Sequence, residues 1–403
     1  MVFFSLTSIL VCALALLSGR VNGITTRHNR DYFYVGGEYV AGPVFGNIKF
    51  GQMYVEHLKP LVVLPNSNPL VFIHGAGLTG STWLDTPDDR EGWAEFFLKR
   101  GYEIYIVDQP ARGRSAYQPG HDGPQFMFPA ELVEGVFTAP TTASWSFADR
   151  HTQWPGTGLR GDPTFEEFYS SLVPLVSTDS ESGLLNQNAL IALLSSPKIQ
   201  KDVILVTHSQ SGLFGWPAAD AAVAQNLPRK VKAIVALEPG GPPFQPDTQN
   251  QPTTPNPALI QMHPWGLSEV PMTYDPAVSD PSEFTLEPIA DDPGYTCVQQ
   301  SGTPRKWANL LNLPVLVVTA EASWHASFDD CTVNFMCQAG LTVHFARLPD
   351  FGILGNGHML YLEKNNKKIA QDVVLPFIQK VSFNWGTLDS GKFKVCPGLS
   401  TVS

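Results

Sequence analysis

Short runs of mostly apolar residues recur along the chain, and each ends on a polar or small residue. Leu70-Val71-Phe72-Ile73 runs into His74-Gly75, residues 103–107 into Asp108, and residues 203–207 into His208-Ser209. Residues 231–237 end at Glu238, residues 315–319 at Ala320-Glu321, and residues 342–346 form the last run. Runs that are apolar on both alternating faces predict strands buried on both sides, as in a parallel sheet covered by helices. Helical patterns fall between them, at 91–100, 184–195, 212–226, 327–339 and 359–380. The alternation predicts an α/β fold with a mostly parallel central sheet, connected right-handedly and flanked by helices. Ahead of it, residues 32–63 alternate apolar and polar with Gly and Pro breaks, which predicts antiparallel strands leading into the sheet.

Two stretches break the pattern. Residues 119–165 carry Trp145 and Trp154 without a clear period, and residues 239–310 hold 14 of the 34 prolines. Structureless loops of that length are rare inside a compact domain. Both read as Pro-rich cap or lid insertions over the carboxyl ends of the strands. The only long apolar run, residues 3–17, is N-terminal and too short to span a bilayer. Small residues follow it, so residues 1–23 read as a secretory signal peptide, leaving 24–403 as one catalytic domain for export. Removing Cys12 with that segment leaves Cys297, Cys331, Cys337 and Cys396, enough for two disulfides in any of three pairings.

Composition narrows the function. Apolar residues make up 43% and charged residues 16%, which supports a large core. Net charge is 26 − 37 = −11, which disfavours nucleic acid and anionic membrane surfaces as partners. No Cys/His group has zinc spacing, so no metal is expected.

The strongest chemical signal is Val206-Thr207-His208-Ser209-Gln210-Ser211-Gly212, a strand, a tight turn and a helix. Such a turn lifts a serine hydroxyl clear of a sheet, and small residues two before and two after it let the backbone fold that sharply. Ser209 is therefore the candidate nucleophile. A serine needs a base, and His358, in the Gly-rich loop Gly355-Asn356-Gly357-His358 after the last strand, is the candidate. His325 and His344 sit less suitably, and His208 is expected to pack or line the pocket. For the acid that orients the imidazole, Glu238 is favoured because it ends a strand and precedes the turn Pro239-Gly240-Gly241. Glu321 is the alternative acid, followed by Asp329 and Asp330, while Ser323 stands where many hydrolases carry an Asp. Oxyanion donors are expected from the N–H groups of Ala76 and Gln210. The turn from Asp108 to Ser115 reads as scaffolding.

Taken together, His74-Gly75, the Asp108–Ser115 turn, His208-Ser209-Gln210-Ser211-Gly212 and Gly357-His358 followed by Glu363-Lys364 resemble the α/β-hydrolase superfamily. Residues 74–83 and 207–212 are similar to the bacterial esterase 713-like subgroup of serine esterases. The resemblance implies a carboxylic-ester hydrolase without a cofactor, whose acid follows the sixth strand, which again points to Glu238. Some members carry adjacent cysteines where this chain has Ala76-Gly77.

The expected function is a secreted serine esterase or lactonase working through Ser209, His358 and Glu238 on a small ester. The alternatives are a tailoring enzyme of secondary metabolism, breaking a C–C bond with the same groups, and a non-catalytic binding protein on the same fold. Epoxide and halide hydrolases are disfavoured, because they need a carboxylate at position 209.

Overall fold

The computed structural model describes residues 26–140, 145–176, 179–245, 263–290, 295–386, 388–389 and 391–396. The expected signal peptide and parts of the second Pro-rich stretch lie outside the described residues. Nine strands form one sheet: β1 (His28–Ala41), β2 (Asn47–Pro60), β3 (Leu70–Ile73), β4 (Ile104–Asp108), β5 (Val203–His208), β6 (Val231–Leu237), β7 (Pro314–Thr319), β8 (Thr342–Arg347) and β9 (Lys394–Val395). Their spatial order is β1-β2-β4-β3-β5-β6-β7-β8-β9. Strands β3 to β8 run parallel, whereas β1, β2 and β9 pair antiparallel with their neighbours.

Each parallel strand feeds two cores, because successive side chains point to opposite faces. Phe72, Ile106, Val206, Val235 and Val318 pack on one face with Trp83, Trp93 and Tyr361. Val71, Tyr105, Leu205, Ile234 and Val317 pack on the other with Trp216, Trp307 and Phe335. The main helices are α1 (Trp93–Leu98), α2 (Pro163–Ser170), α3 (Asp179–Ser195), α4 (Gly212–Ala224), α5 (Asp329–Gln338) and α6 (Leu375–Phe383). Helices α1 and α6 cover the first face, and α3, α4 and α5 the second.

Two elements differ from the sequence reading. The helix expected over 359–380 begins only at Asn366 and passes through a π-turn, Ala370–Val374, before α6. Just ahead of that start, the Arg90 guanidinium donates to the carbonyls of Leu362 and Glu363 at 2.7 and 2.9 Å, and the Glu363 carbonyl also accepts from the Asn366 N–H at 2.9 Å. His358 therefore sits in a turn, not at a helix start. Helix α2, within and beyond the first Pro-rich stretch, was not expected. Asp162 caps it by accepting from the N–H groups of Thr164 and Phe165, and Pro163 follows at the first helical position.

The second Pro-rich stretch is tied to the sheet. Its hairpin, Leu286–Ala290 with Thr296–Gln300, is joined to α5 by the disulfide Cys297–Cys331. A second disulfide, Cys337–Cys396, joins α5 to the segment after β9. Tyr274, Phe284 and Trp307 from this stretch are buried in the second core. Among the described residues no helix is long and apolar enough to cross a membrane.

The carboxyl ends of β3, β4, β5, β6, β7 and β8 meet along one edge of the sheet, the usual ligand face of such folds. Close approach there depends on Gly212. A Cβ at that position would lie 2.4 Å from the Pro239 Cβ and 2.7 Å from its Cα. Gly212→Ala is expected to lower stability by about 1–3 kcal/mol, the usual cost of forced overpacking. Denaturant unfolding checks this, and unchanged stability would show that the two turns can separate freely.

Candidate active site

The first functional turn follows β5. Ser209 has φ 54°, a left-handed conformation that non-glycine residues rarely adopt. The turn is braced around it. The Ser211 hydroxyl accepts from the His208 N–H at 2.8 Å and lies 2.9 Å from the Ile73 carbonyl, to which it donates. The Ser209 carbonyl accepts from the Gly240 N–H at 3.0 Å. Gly75 presses against the turn, since a Cβ there would sit 3.0 Å from the Ser209 Cβ. These contacts explain the serine at position 211 and hold residue 209 at the tip, where it is only partly buried.

The second turn follows β6. Glu238 also has positive φ, 44°, and its side chain is fully buried. Its Oε1 accepts from the Ala320 N–H at 2.8 Å, and its Oε2 accepts from the Ser323 hydroxyl at 2.7 Å. His358 Nδ1 lies 2.6 Å from the same Oε2. A carboxylate acceptor assigns the proton to Nδ1 and leaves Nε2 with a free lone pair. The His358 backbone is held separately. Its carbonyl lies 3.0 Å from His208 Nε2, which donates to it. The preceding Gly357 N–H donates to both oxygens of buried Glu363, at 2.9 and 3.1 Å. Glu363 also bonds Asn356 Nδ2 and His151 Nε2, each at 2.6 Å. The N–H groups of Thr152 and Gln153 donate to Gly355 O, so residues 151–153 of the first Pro-rich stretch lie along the His358 loop.

The structure thus joins His358 with Glu238, and the ring of His208, the residue before Ser209, lies 4.6 Å from that of His358. Among the described residues no hydrogen bond links the Ser209 hydroxyl to His358 in this structure. Such contacts are commonly loose without substrate and tighten in the complex. No protein acceptor among the described residues takes the N–H of Ala76 or Gln210. Glu321 does not reach His358; it accepts from the Gly355 N–H at 2.8 Å and faces Arg150 at 3.6 Å. Asp330 pairs with Arg347. His344 lies half-buried in β8 against Phe377.

Several supporting groups had weak sequence signals. Ser323 occupies the place of a common acid and here serves Glu238. His325 stacks on His358, rings 5.0 Å apart and 10° from parallel, with its Nδ1 3.0 Å from Asp329 Oδ1. Thr319 completes that pair by hydrogen bonding Asp329. Spacing of four along the chain was the only available clue to it. Phe137 and Trp324 flank the His358 ring at 5.6 and 4.3 Å, and Trp145 packs on Trp324. Among the described residues one cluster has metal-ligand proximity, Glu238, His325 and His358, with ligand atoms within 4.8 Å. Two of its members already bond each other, which suits proton handling.

Burial pushes the Glu238 carboxyl up to about 8, opposed by His325, the Ser323 hydroxyl and the Ala320 N–H. Burial, reinforced by His208 and His325, holds His358 well below the ordinary histidine range. The two groups share a hydrogen bond and titrate as a pair. Proton loss takes that pair from neutral to negative in a buried site, which raises its apparent pKa above the ordinary His value of about 6.5.

Comparisons with known proteins show the family and the fold. The family model described as "Alpha/beta hydrolase family" matches residues 70–372. A fungal relative (Fungal sp.) named "Probable secreted lipase phiG" is 43% identical over 356 residues, 87% of this chain and 89% of that protein. A solved structure titled as that of a novel bacterial esterase is 24% identical and covers 88% of this chain and 96% of its own, with a TM-score of 0.59; that likeness carries the fold.

Ser323 donates to the ionised form of Glu238, so it lowers the pair's pKa. Ser323→Ala is expected to move proton loss to higher pH, read by NMR titration of the His358 ring. A midpoint that stays or falls would remove Ser323 from the site.

Proposed function

The chain belongs to the α/β-hydrolase family, and on that premise we propose that it is a serine ester hydrolase using Ser209, His358 and Glu238. The observation that carries the reading is the 2.6 Å contact between His358 Nδ1 and Glu238 Oε2, beside the strained serine turn at the same sheet edge. Ser209 Oγ attacks the ester carbonyl while His358 Nε2 takes its proton. Glu238 keeps the imidazole in the Nδ1–H tautomer and balances the imidazolium that forms. The N–H groups of Ala76 and Gln210 receive the negative oxygen of the tetrahedral intermediate. His358 then protonates the leaving alcohol, and water releases the acyl group from Ser209 by the same steps in reverse.

The aromatic wall of Phe137, Trp145 and Trp324 around His358 favours an apolar acyl or alkyl group. The relative named a secreted lipase and the two disulfides support export to an oxidising compartment.

A fluorophosphonate is expected to label the wild type and not Ser209→Ala. Absence of label on folded wild type would favour a binding protein, and a panel of esters, lactones and C–C substrates separates the chemistries. Glu238→Gln is expected to lower kcat by about 10⁴, by analogy with loss of a triad acid, and Glu321→Gln far less. The reverse ranking would overturn the assignment. For the wild type, kcat/KM is expected to rise with pH as the His358–Glu238 pair loses its proton, through a midpoint above about 6.5. A flat profile from about pH 5 to 9 would exclude a His base.

A further inference from the structure

We propose that Arg112 is the positioning residue of the oxyanion hole, clamping both of its arms with one guanidinium. The inference rests on the reading of Ala76 and Gln210 as the oxyanion donors. Arg112 belongs to the turn after β4, is only 3% exposed, and follows Ala111, which has φ 62°. Its NH1 donates to the Gly75 carbonyl at 3.0 Å, and its NH2 donates to Gln210 Oε1 at 2.8 Å. No carboxylate among the described residues pairs with it. The other arginine of the turn, Arg114, is bound to both Asp108 and Glu56.

The Gly75 contact matters because of peptide geometry. The Gly75 carbonyl and the Ala76 N–H belong to one planar trans unit and point in opposite directions. A donor fixed on the carbonyl therefore fixes the direction of the N–H. Besides a long contact from the Leu78 N–H at 3.4 Å, that carbonyl has two side-chain donors. The Gln109 N–H donates to His74 Nε2 at 3.1 Å, which assigns the His74 proton to Nδ1, 2.9 Å from Gly75 O. His74 and Arg112 therefore both donate to the same oxygen. A charged donor on a carbonyl also polarises the whole unit and strengthens its N–H as a donor.

The second arm is tied by its side chain. Gln210 is 5% exposed, and its Oε1 is held by the same guanidinium. The rigid planar fork of arginine sets the distance between the two acceptors, which a lysine point charge cannot do. Burial lowers the Arg112 guanidinium to about 9, so it stays charged at neutral pH. A buried cation without a carboxylate partner, placed behind both donors, also favours negative charge developing in front of them.

The test compares Arg112→Met, Arg112→Lys, Gln210→Met and the control Arg114→Gln by ester kinetics, thermal unfolding and fluorophosphonate labelling. Arg112→Met is expected to lower kcat and the labelling rate by about 10- to 100-fold, less than the loss of an oxyanion donor itself, with KM within about threefold. Arg112→Lys should fall between it and the wild type. The pH midpoint should stay in place, because the His358–Glu238 pair is untouched. Arg114→Gln is expected to lower the unfolding temperature more than kcat. If Arg112→Met does not fold, Gln210→Met decides, since it removes one anchor and keeps the backbone N–H; it too should lose kcat.

The inference is overturned if folded Arg112→Met, or in its absence Gln210→Met, keeps kcat within about twofold. It is equally overturned if the loss lies in KM alone, or if Arg114→Gln loses as much kcat. Wild type that is not labelled at Ser209 would instead defeat the underlying reading. Labelled wild type with an indifferent Arg112 would defeat the clamp alone.

Discussion

A buried carboxylate constrains this molecule more than any other group. Removing an ionised carboxyl from water is costly unless donors replace the water. Glu238 is fully buried, and its donors come from distant parts of the chain: Ala320 and Ser323 after β7, and His358 after β8. All must arrive together, so the ends of β6, β7 and β8 are fixed relative to one another by the needs of one side chain. The parallel register of these strands places the three ends on the same edge. The sheet therefore supplies the coarse position and the carboxylate the fine one.

The same economy recurs one layer out, where acids hold backbone. Glu363 collects the Gly357 N–H, Asn356 and His151, and Glu321 collects the Gly355 N–H. Two carboxylates thus shape the loop that presents His358, and neither hydrogen bonds the imidazole itself. Residues 151–153 join this layer through His151 and the Gly355 carbonyl. The first Pro-rich stretch is thereby coupled to the imidazole it partly covers. Its Phe137 stacks on the ring from outside while His325 stacks within.

The fold was legible from the sequence because it depends on apolar periodicity. The runs at 70–73, 203–207 and 315–319 could only be strands buried on both faces, and they are. The candidate site was legible where a polar residue ends a strand and opens a strained turn, as at Ser209 and Glu238. It was less legible where a contact depends on coil geometry. His325 and Asp329 become partners through a single turn of chain, and Glu363 acts through backbone atoms that any sequence has. The final helix was misread because Met359, Leu360 and Leu362 show a helical spacing, whereas the chain forms turns there and the helix starts only at Asn366. Arg112 was legible only as part of the scaffolding turn Asp108–Ser115, because its partners, a glycine carbonyl and a glutamine side chain, give no charge pattern to read.

Strain and support also fall in the same places. Ser209 and Glu238 both adopt positive φ without being glycine, at a cost of order 1–3 kcal/mol each. Each is followed by a residue that permits unusual contact: Gly212 packs against Pro239, and Gly240 donates to the Ser209 carbonyl. The two strained turns therefore brace each other directly. Relaxing one would displace the other, so the Ser209 turn and the Glu238 turn behave as one unit. His358 comes from a loop with anchors of its own, His208 on its carbonyl and Glu363 on the preceding Gly357 N–H. A proton carrier must approach the serine oxygen during the reaction while keeping its carboxylate partner. On the proposed reading, the paired turns keep the serine and the carboxylate in register, and the Glu238 contact on Nδ1 orients the imidazole while its Nε2 stays available to the serine.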